Sequence, residues 1–165
     1  MRSIVTRSLV CAVALAWLLG GCSSAPRQAG ATDTPALPAR LTMDQANEVT
    51  LYAISLVGTP YRYGGNTPAS GFDCSGLIVH VYKTRAQVLA PRTVAALYDW
   101  GQPVPAQSLR TGDLVVFTQK GVTNHAGIYV GAGRFVHAPS TGGEVRLDAL
   151  NSSYWSKQGV SYRRP

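Results

Sequence analysis

The apolar pattern changes period once along the chain, and that change limits the fold more than any other feature. In the first part of the domain, apolar residues recur at helical spacing. From Leu114 onward they fall in short runs rich in β-branched and aromatic residues. Thr42 and Gln45 form a capping-box pair, and Ala46, Val49, Ala53 and Leu56 follow at helical intervals as far as Gly58. Pro60 to Gly71 reads as a loop rich in Gly, Pro, Asn and Ser. A second helix is expected from Cys74 to about Thr84, with Leu77, Ile78 and Val81 as its stripe. A third, short helix should open at Pro91-Arg92-Thr93 and run through Trp100, where Gly101 and Pro103 stop it. Strands are expected over Leu114–Phe117, Ala126–Val130, Arg134–Ala138, Glu144–Leu147 and Gly159–Arg163, with Gly131-Ala132-Gly133 as a tight hairpin. Helices first and strands after predict an α+β fold, N-terminal helices packed on an antiparallel sheet.

The first residues have the character of an export signal. Arg2 and Arg7 make a positive start, and Leu9 to Leu19 is an apolar run too short to span a bilayer. Leu19-Gly20-Gly21-Cys22 resembles the bacterial lipobox, in which the cysteine is lipidated and becomes the new N-terminus. The expected organisation is a signal peptide over 1–21, a lipidated Cys22 with a flexible linker over 22–41, and a folded domain over 42–165. Acyl chains then anchor the protein to a membrane without a spanning helix. Ser23, rather than Asp, after the lipidated cysteine favours the outer membrane, facing the periplasm. Loss of Arg2 and Arg7 takes the side-chain charge from +7 to +5. A basic balance attracts anionic partners, whether nucleic acid, phospholipid or an acidic wall polymer, and selects none of them.

Of three cysteines, Cys11 leaves with the leader and Cys22 carries lipid, so Cys74 is the only thiol left. It has no intramolecular partner in an oxidising compartment. It stands at the expected start of a helix, where the helix dipole favours a thiolate, and a nearby imidazole would favour it further. Three histidines are available: His80, His125 and His137. A turn centred on Ala132 sets Val130 opposite Arg134, Ile128 opposite Val136 and Gly127 opposite His137. His125 then shares a face with His137, one diagonal step away, while Ile128, Val130 and Val136 face the core. His80 lies in the second helix and reads as ordinary. Residue types and spacing alone leave two readings open: a buried small hydrophobe beside structural histidines, or a nucleophile, a base and an orienting imidazole.

Five ordered blocks separate these readings. They are Tyr61-Arg62-Tyr63-Gly64-Gly65, Gly71-Phe72-Asp73-Cys74-Ser75-Gly76-Leu77, Arg110-Thr111-Gly112-Asp113-Leu114-Val115-Val116-Phe117, His125-Ala126-Gly127-Ile128-Tyr129-Val130-Gly131 and Phe135-Val136-His137-Ala138. Together, from about Gly58 to Tyr162, they resemble the NlpC/P60 cysteine peptidases, and with the lipobox the lipoprotein murein endopeptidases among them. The resemblance implies a papain-like fold and hydrolysis of peptidoglycan stem peptides or crosslinks through a Cys-His-His triad and a thioester. It implies Cys74 as nucleophile, His125 as base and His137 as the third polar residue. Tyr61 and the backbone N–H of Ser75 would serve the oxyanion. Tyr63 is expected to be a packing residue, and Asp73 and Asp113 to be structural, one at a helix start and one in a turn before a strand. No metal or organic cofactor and no nucleic acid is implied; the partners are stem peptides and, through lipid, a membrane. The same triad would also suit an amidase or acyltransferase. A non-catalytic envelope lipoprotein on the same fold is the alternative from another class.

Overall fold

The computed structural model describes residues 41–140 and 142–165. The expected signal peptide, Cys22 and all of the linker except Leu41 lie outside them. Leu41 is 3% exposed and packs into the core.

Helix α1 spans Met43–Ser55. Its capping box forms as expected: the Thr42 side chain accepts from the Gln45 N–H, and Gln45 Oε1 accepts from the Thr42 N–H at 3.0 Å. Ala46, Val49 and Ala53 are its buried face. Two short strands, β1 (Asn66–Thr67) and β2 (Gly71–Phe72), form a hairpin in the loop before helix α2, Cys74–Ala86. Leu77, Ile78, Val81 and Tyr82 of α2 are fully buried. Helix α3 is shorter than the sequence implies: it covers only Val94–Tyr98, because Thr93 rather than Pro91 caps it.

The remaining elements build one antiparallel sheet. Its strands are β3 (Gln102–Pro103), β4 (Leu114–Gln119), β5 (Val122–Gly131), β6 (Arg134–His137), β7 (Arg146–Ala149) and β8 (Gly159–Arg164), in the order β3-β8-β4-β5-β6-β7. The α+β layout expected from the change of period is therefore the one observed. Alternation divides the sheet into two faces. Leu114, Val116, Ala126, Ile128, Val136 and Ala138 join the helices in the main core, with Val130 packed against it. Val115, Phe117, Phe135 and Trp155 form a second, smaller cluster. Each fully buried large side chain contributes about 1.5–3 kcal/mol, so the main core carries most of the stability, and the small cluster shapes what lies on it.

One expected pairing fails. Ile128 does face Val136, but Arg134 faces Gly131 instead of Val130. Gly131, Ala132 and Gly133 all have positive φ, at 97°, 51° and 69°. The turn therefore takes in Gly131, and Val130 becomes the extra residue of a bulge. The shift is confined to the turn end, so the face assignments from Ile128 inward are unaffected.

Candidate active site

Asp73 caps α2. Its Oδ1 accepts from the Gly76 N–H at 2.7 Å and its Oδ2 from the Gly64 N–H at 2.9 Å. Arg92 clasps both oxygens, at 2.7 and 2.8 Å. Hydrogen bonds and charge from Arg92, with the Gly76 N–H, outweigh burial and hold this carboxyl below its usual range. The cap thus fixes where α2 begins, and with it the position of Cys74, the first helical residue. Asp113 is likewise structural: buried, bridged to Arg164 at 2.9 and 2.8 Å, and accepting from the Arg110 N–H at 3.0 Å in the turn before β4.

The Cys74 sulfur reaches across to β5. The backbone N–H groups of Ser75, Cys74 and Ala126 all stabilise its charged form. Ala126 immediately follows His125, so the nucleophile candidate meets the sheet at the histidine strand. The thiolate expected at a helix start is nonetheless not the resting form. Burial pushes the thiol up, the Asp73 carboxylate adds to that push, and the backbone donors do not overcome the two.

The two strand histidines meet as the diagonal register requires. His125 Nε2 lies 2.8 Å from His137 Nδ1, both rings are buried, and they stand edge-on at 4.9 Å between centroids. Gly127 leaves room beside the pair. A Cβ there would stand 2.6 Å from the Phe135 ring, 2.9 Å from the Val136 carbonyl oxygen and 3.2 Å from the His137 Cβ. The Trp155 ring stacks on His125 at 5.2 Å and 24° and meets His137 edge-on at 5.2 Å. Burial, the His137 neighbour and Arg146 lower the pKa of His125 to about 3, against a partial rise from Asp148. Burial also lowers His137 to about 4, opposed by the Asp148 carboxylate. At neutral pH the thiol and both imidazoles are therefore uncharged.

Four residues of this neighbourhood are not singled out by the sequence pattern on its own. Asp148 Oδ2 lies 3.0 Å from His137 Nε2, although the ring N–H direction is off the oxygen, so the contact is electrostatic rather than a well-aligned hydrogen bond. The same oxygen accepts from Trp155 Nε1 at 2.8 Å and from Arg146 Nη2 at 3.0 Å. Burial opposes the Asp148 charge, but Trp155, His137 and Arg146 keep the carboxyl below its usual range. Arg92 is the fourth. A signal for Asp148 existed in the alternation of Arg146-Leu147-Asp148-Ala149, but it needed the β6–β7 register. There Phe135 faces Asp148 and His137 faces Arg146, which sets Asp148 diagonal to His137.

The remaining expectations divide. Tyr61 stands close enough to Cys74 that charge on the sulfur would raise its pKa, after burial as the larger cause. The phenol therefore stays protonated, and is a donor. Ser75 is buried, and its hydroxyl donates to the Arg92 carbonyl oxygen at 2.7 Å. Tyr63 is not a packing residue: it is 87% exposed, because its loop turns outward at Gly64, where φ is 75°. His80 stays apart from the site, its Nε2 2.9 Å from the Tyr52 hydroxyl. A cavity of about 310 Å³ opens beside His125, bordered by Asn124, Arg146, Tyr154 and Trp155.

Residues 58–164 match the NlpC/P60 family. The chain belongs to that family. It is 42% identical over 112 residues to the murein DD-endopeptidase MepH of Escherichia coli K12, covering 66% of this chain and 41% of that protein. It is 37% identical over 137 residues to the gamma-DL-glutamyl hydrolase of Bacillus subtilis, covering 82% of this chain and 32% of that one. In both cases the match spans less than half of the relative's length. Among solved structures, the NlpC/P60 domain of the peptidoglycan hydrolase SagA superposes with a TM-score of 0.62 and 28% identity, over 70% of this chain and 96% of that domain. The α+β architecture read from the sequence is the fold of this family.

Proposed function

We propose that the protein is a thiol endopeptidase that hydrolyses peptide bonds in peptidoglycan stem peptides or crosslinks. The observation that carries the reading is the bonded and buried histidine pair on β5 and β6, with the Ala126 N–H next to His125 favouring charge on the Cys74 sulfur. The relatives named as a murein endopeptidase and a peptidoglycan hydrolase supply the substrate class.

Because the thiol and imidazole rest uncharged, proton transfer accompanies attack instead of preceding it. Sulfur forms a bond to the carbonyl carbon while His125 Nδ1 takes the thiol proton. The carbonyl electrons move onto oxygen, where the Tyr61 hydroxyl and the Ser75 N–H are the candidate donors. Collapse breaks the C–N bond, and His125 returns its proton to the leaving amine. Water then attacks the thioester, His125 takes its proton, the C–S bond breaks, and that proton regenerates the Cys74 thiol.

Digestion of purified muropeptides, with fragments weighed by mass spectrometry, tests the reading and identifies the bond cut. Wild-type protein should release amine and carboxylate fragments without exogenous metal, and Cys74→Ala should release none while melting at the wild-type temperature. Turnover by Cys74→Ala would refute a thiol mechanism. Acyl transfer to an added amine, in place of hydrolysis, would favour the transferase alternative. Membrane attachment through a lipidated Cys22 belongs to the same proposal and rests on the Leu19–Cys22 pattern. It predicts an acylated N-terminal peptide starting at Cys22, lost in Cys22→Ala.

A further inference from the structure

His137 stands between two partners on neighbouring strands. His125 on β5 and Asp148 on β7 each approach it along a diagonal of the sheet, one to Nδ1 and the other to Nε2. The two sides differ in chemistry. A carboxylate oxygen carries only lone pairs, whereas a neutral imidazole carries a proton on one nitrogen and a lone pair on the other. Although the ring N–H direction is off the oxygen, at 3.0 Å the Asp148 Oδ2 charge attracts a proton on Nε2 and repels a bare Nε2 lone pair.

We propose that Asp148 is a positioning residue that sets the tautomers of both active-site histidines and so leaves His125 Nδ1 bare to receive the thiol proton. The argument builds on the reading of His125 as the base. Asp148 requires the proton of His137 to sit on Nε2, which leaves Nδ1 as a lone pair. That lone pair, 2.8 Å from His125 Nε2, requires the His125 proton to sit on Nε2 in turn. The one nitrogen left without a proton is His125 Nδ1. In the reverse arrangement His125 Nδ1 would carry a proton and could accept none, so the same rings in the same places would be inert.

Asp148 is itself held for this task. Trp155 Nε1 and Arg146 Nη2 both donate to Oδ2, the oxygen that faces His137. Trp155 also stacks on His125, so one side chain braces the carboxylate and the base together. The charged or titratable groups facing the pair are Asp148 and Arg146 from β7, with Cys74 at the neighbouring Ala126 from α2. The short 3₁₀ turn Trp155–Lys157 presents only the neutral indole. Asp148 supplies the single negative charge next to His137, and that charge also strengthens the pair as a base.

The test compares wild type with Asp148→Asn and Asp148→Ala by three measurements. These are muropeptide kcat/KM against pH, Cys74 alkylation by iodoacetamide against pH, and ¹⁵N spectra of labelled histidine. The amide oxygen of Asn can occupy the place that Trp155 and Arg146 hold, so Asn keeps the tautomers and loses the charge, while Ala loses both. General acid–base help is worth about 10²–10⁴-fold and Asp148 acts only through the histidines, so both variants should lose less than that, Ala more than Asn, chiefly in kcat. Removing the negative charge makes the histidines harder to protonate, so the acid limb of the profile should move to lower pH in both variants. The wild-type spectrum should show both imidazoles protonated at Nε2, and Ala should show a mixture of tautomers. Wild-type rate, limb and tautomers in Asp148→Ala would overturn the proposal. So would a lower rate with an unmoved limb and unchanged tautomers, which would mark a merely structural residue. If Ala does not fold, the isosteric Asn variant decides. If the wild type cuts no muropeptide, the functional reading fails on its own account, and alkylation and ¹⁵N spectra still decide the part played by Asp148.

Discussion

Two carboxylates flank the reactive pair, each in contact with an arginine, and they pull the proton in opposite directions. Asp73 engages Arg92 through both oxygens and caps α2, and its charge raises the pKa of the adjacent Cys74, keeping the proton on sulfur. Asp148 gathers Arg146, Trp155 and His137 on one oxygen, and its charge raises the proton affinity of both histidines, drawing the proton away from sulfur. A carboxylate near a nucleophile thus has no fixed meaning: the titrating group that faces it decides. Burial is the larger cause of the raised thiol pKa, and the helix-capping charge of Asp73 adds to it. The result is a thiol that rests neutral.

The comparison can be broken most severely at the histidines. His125→Ala removes the imidazole proposed as proton acceptor, and loss of general acid–base help costs about 10²–10⁴-fold. His137→Asn keeps a polar partner for His125 and should retain measurable turnover. Muropeptide turnover by the two variants orders them; if His137→Asn is the more damaged, the roles are reversed.

At the nucleophile side the comparison sharpens. Asp73→Asn removes the charge that opposes thiolate, so alkylation of Cys74 at neutral pH should accelerate, whereas Asp148→Asn should not accelerate it. Equal rates in wild type and Asp73→Asn would contradict the assignment. Asp73→Ala also deletes a cap and leaves Arg92 unpaired. Arg92 is partly exposed, so the combined cost is about 2 kcal/mol, read as a lower denaturation midpoint. The sign of its pH dependence follows from the lowered folded pKa of Asp73. That stabilisation is complete above the unfolded carboxyl value of about 3.9 and fades as pH falls through the folded value, so wild type and Asp73→Ala should converge in acid.

The histidines give a second pH signature in the same direction. Their folded values, about 3 for His125 and about 4 for His137, lie below that of a free imidazole. Stability should therefore decline as pH drops below about 6.5, and His125→Ala should decline less steeply over that range. The smallest effect is expected at Tyr63, exposed and away from either carboxylate. Tyr63→Ala should shift stability by no more than about 0.5 kcal/mol, and a larger loss in thermal unfolding would show a contact that its exposure does not suggest.

The sequence carried the two ends of the site unequally. The helix start at Cys74 was legible because Asp73 is a capping residue followed by a helical stripe. The histidine pair was legible because alternation and one glycine-rich turn define a shared face. The turn did not yield its own geometry: Gly131 adopts positive φ, and Val130 is extruded as a bulge. The thiolate expectation failed because a helix dipole can be read from a pattern, whereas burial of the sulfur depends on β5 lying across it. Asp148 was invisible for a related reason. Its face is known only once β7 is in register with β6, and the intervening loop from Pro139 to Val145 carries no signal that sets this register.

Gly127 bears no functional group, yet the packing beside the histidine pair depends on its having no side chain. A methyl group at that position would press on the Phe135 ring, the Val136 carbonyl oxygen and the His137 Cβ, and so disturb the pair with every polar side chain still in place. Such a descendant would keep Cys74, His125, His137 and Asp148 in full and would still pass for an active peptidase by its motifs. A count of these side chains is thus an incomplete test of whether such a chain would be active. The emptiness at position 127 discriminates better, because it is lost without leaving a trace among the residues that do the chemistry.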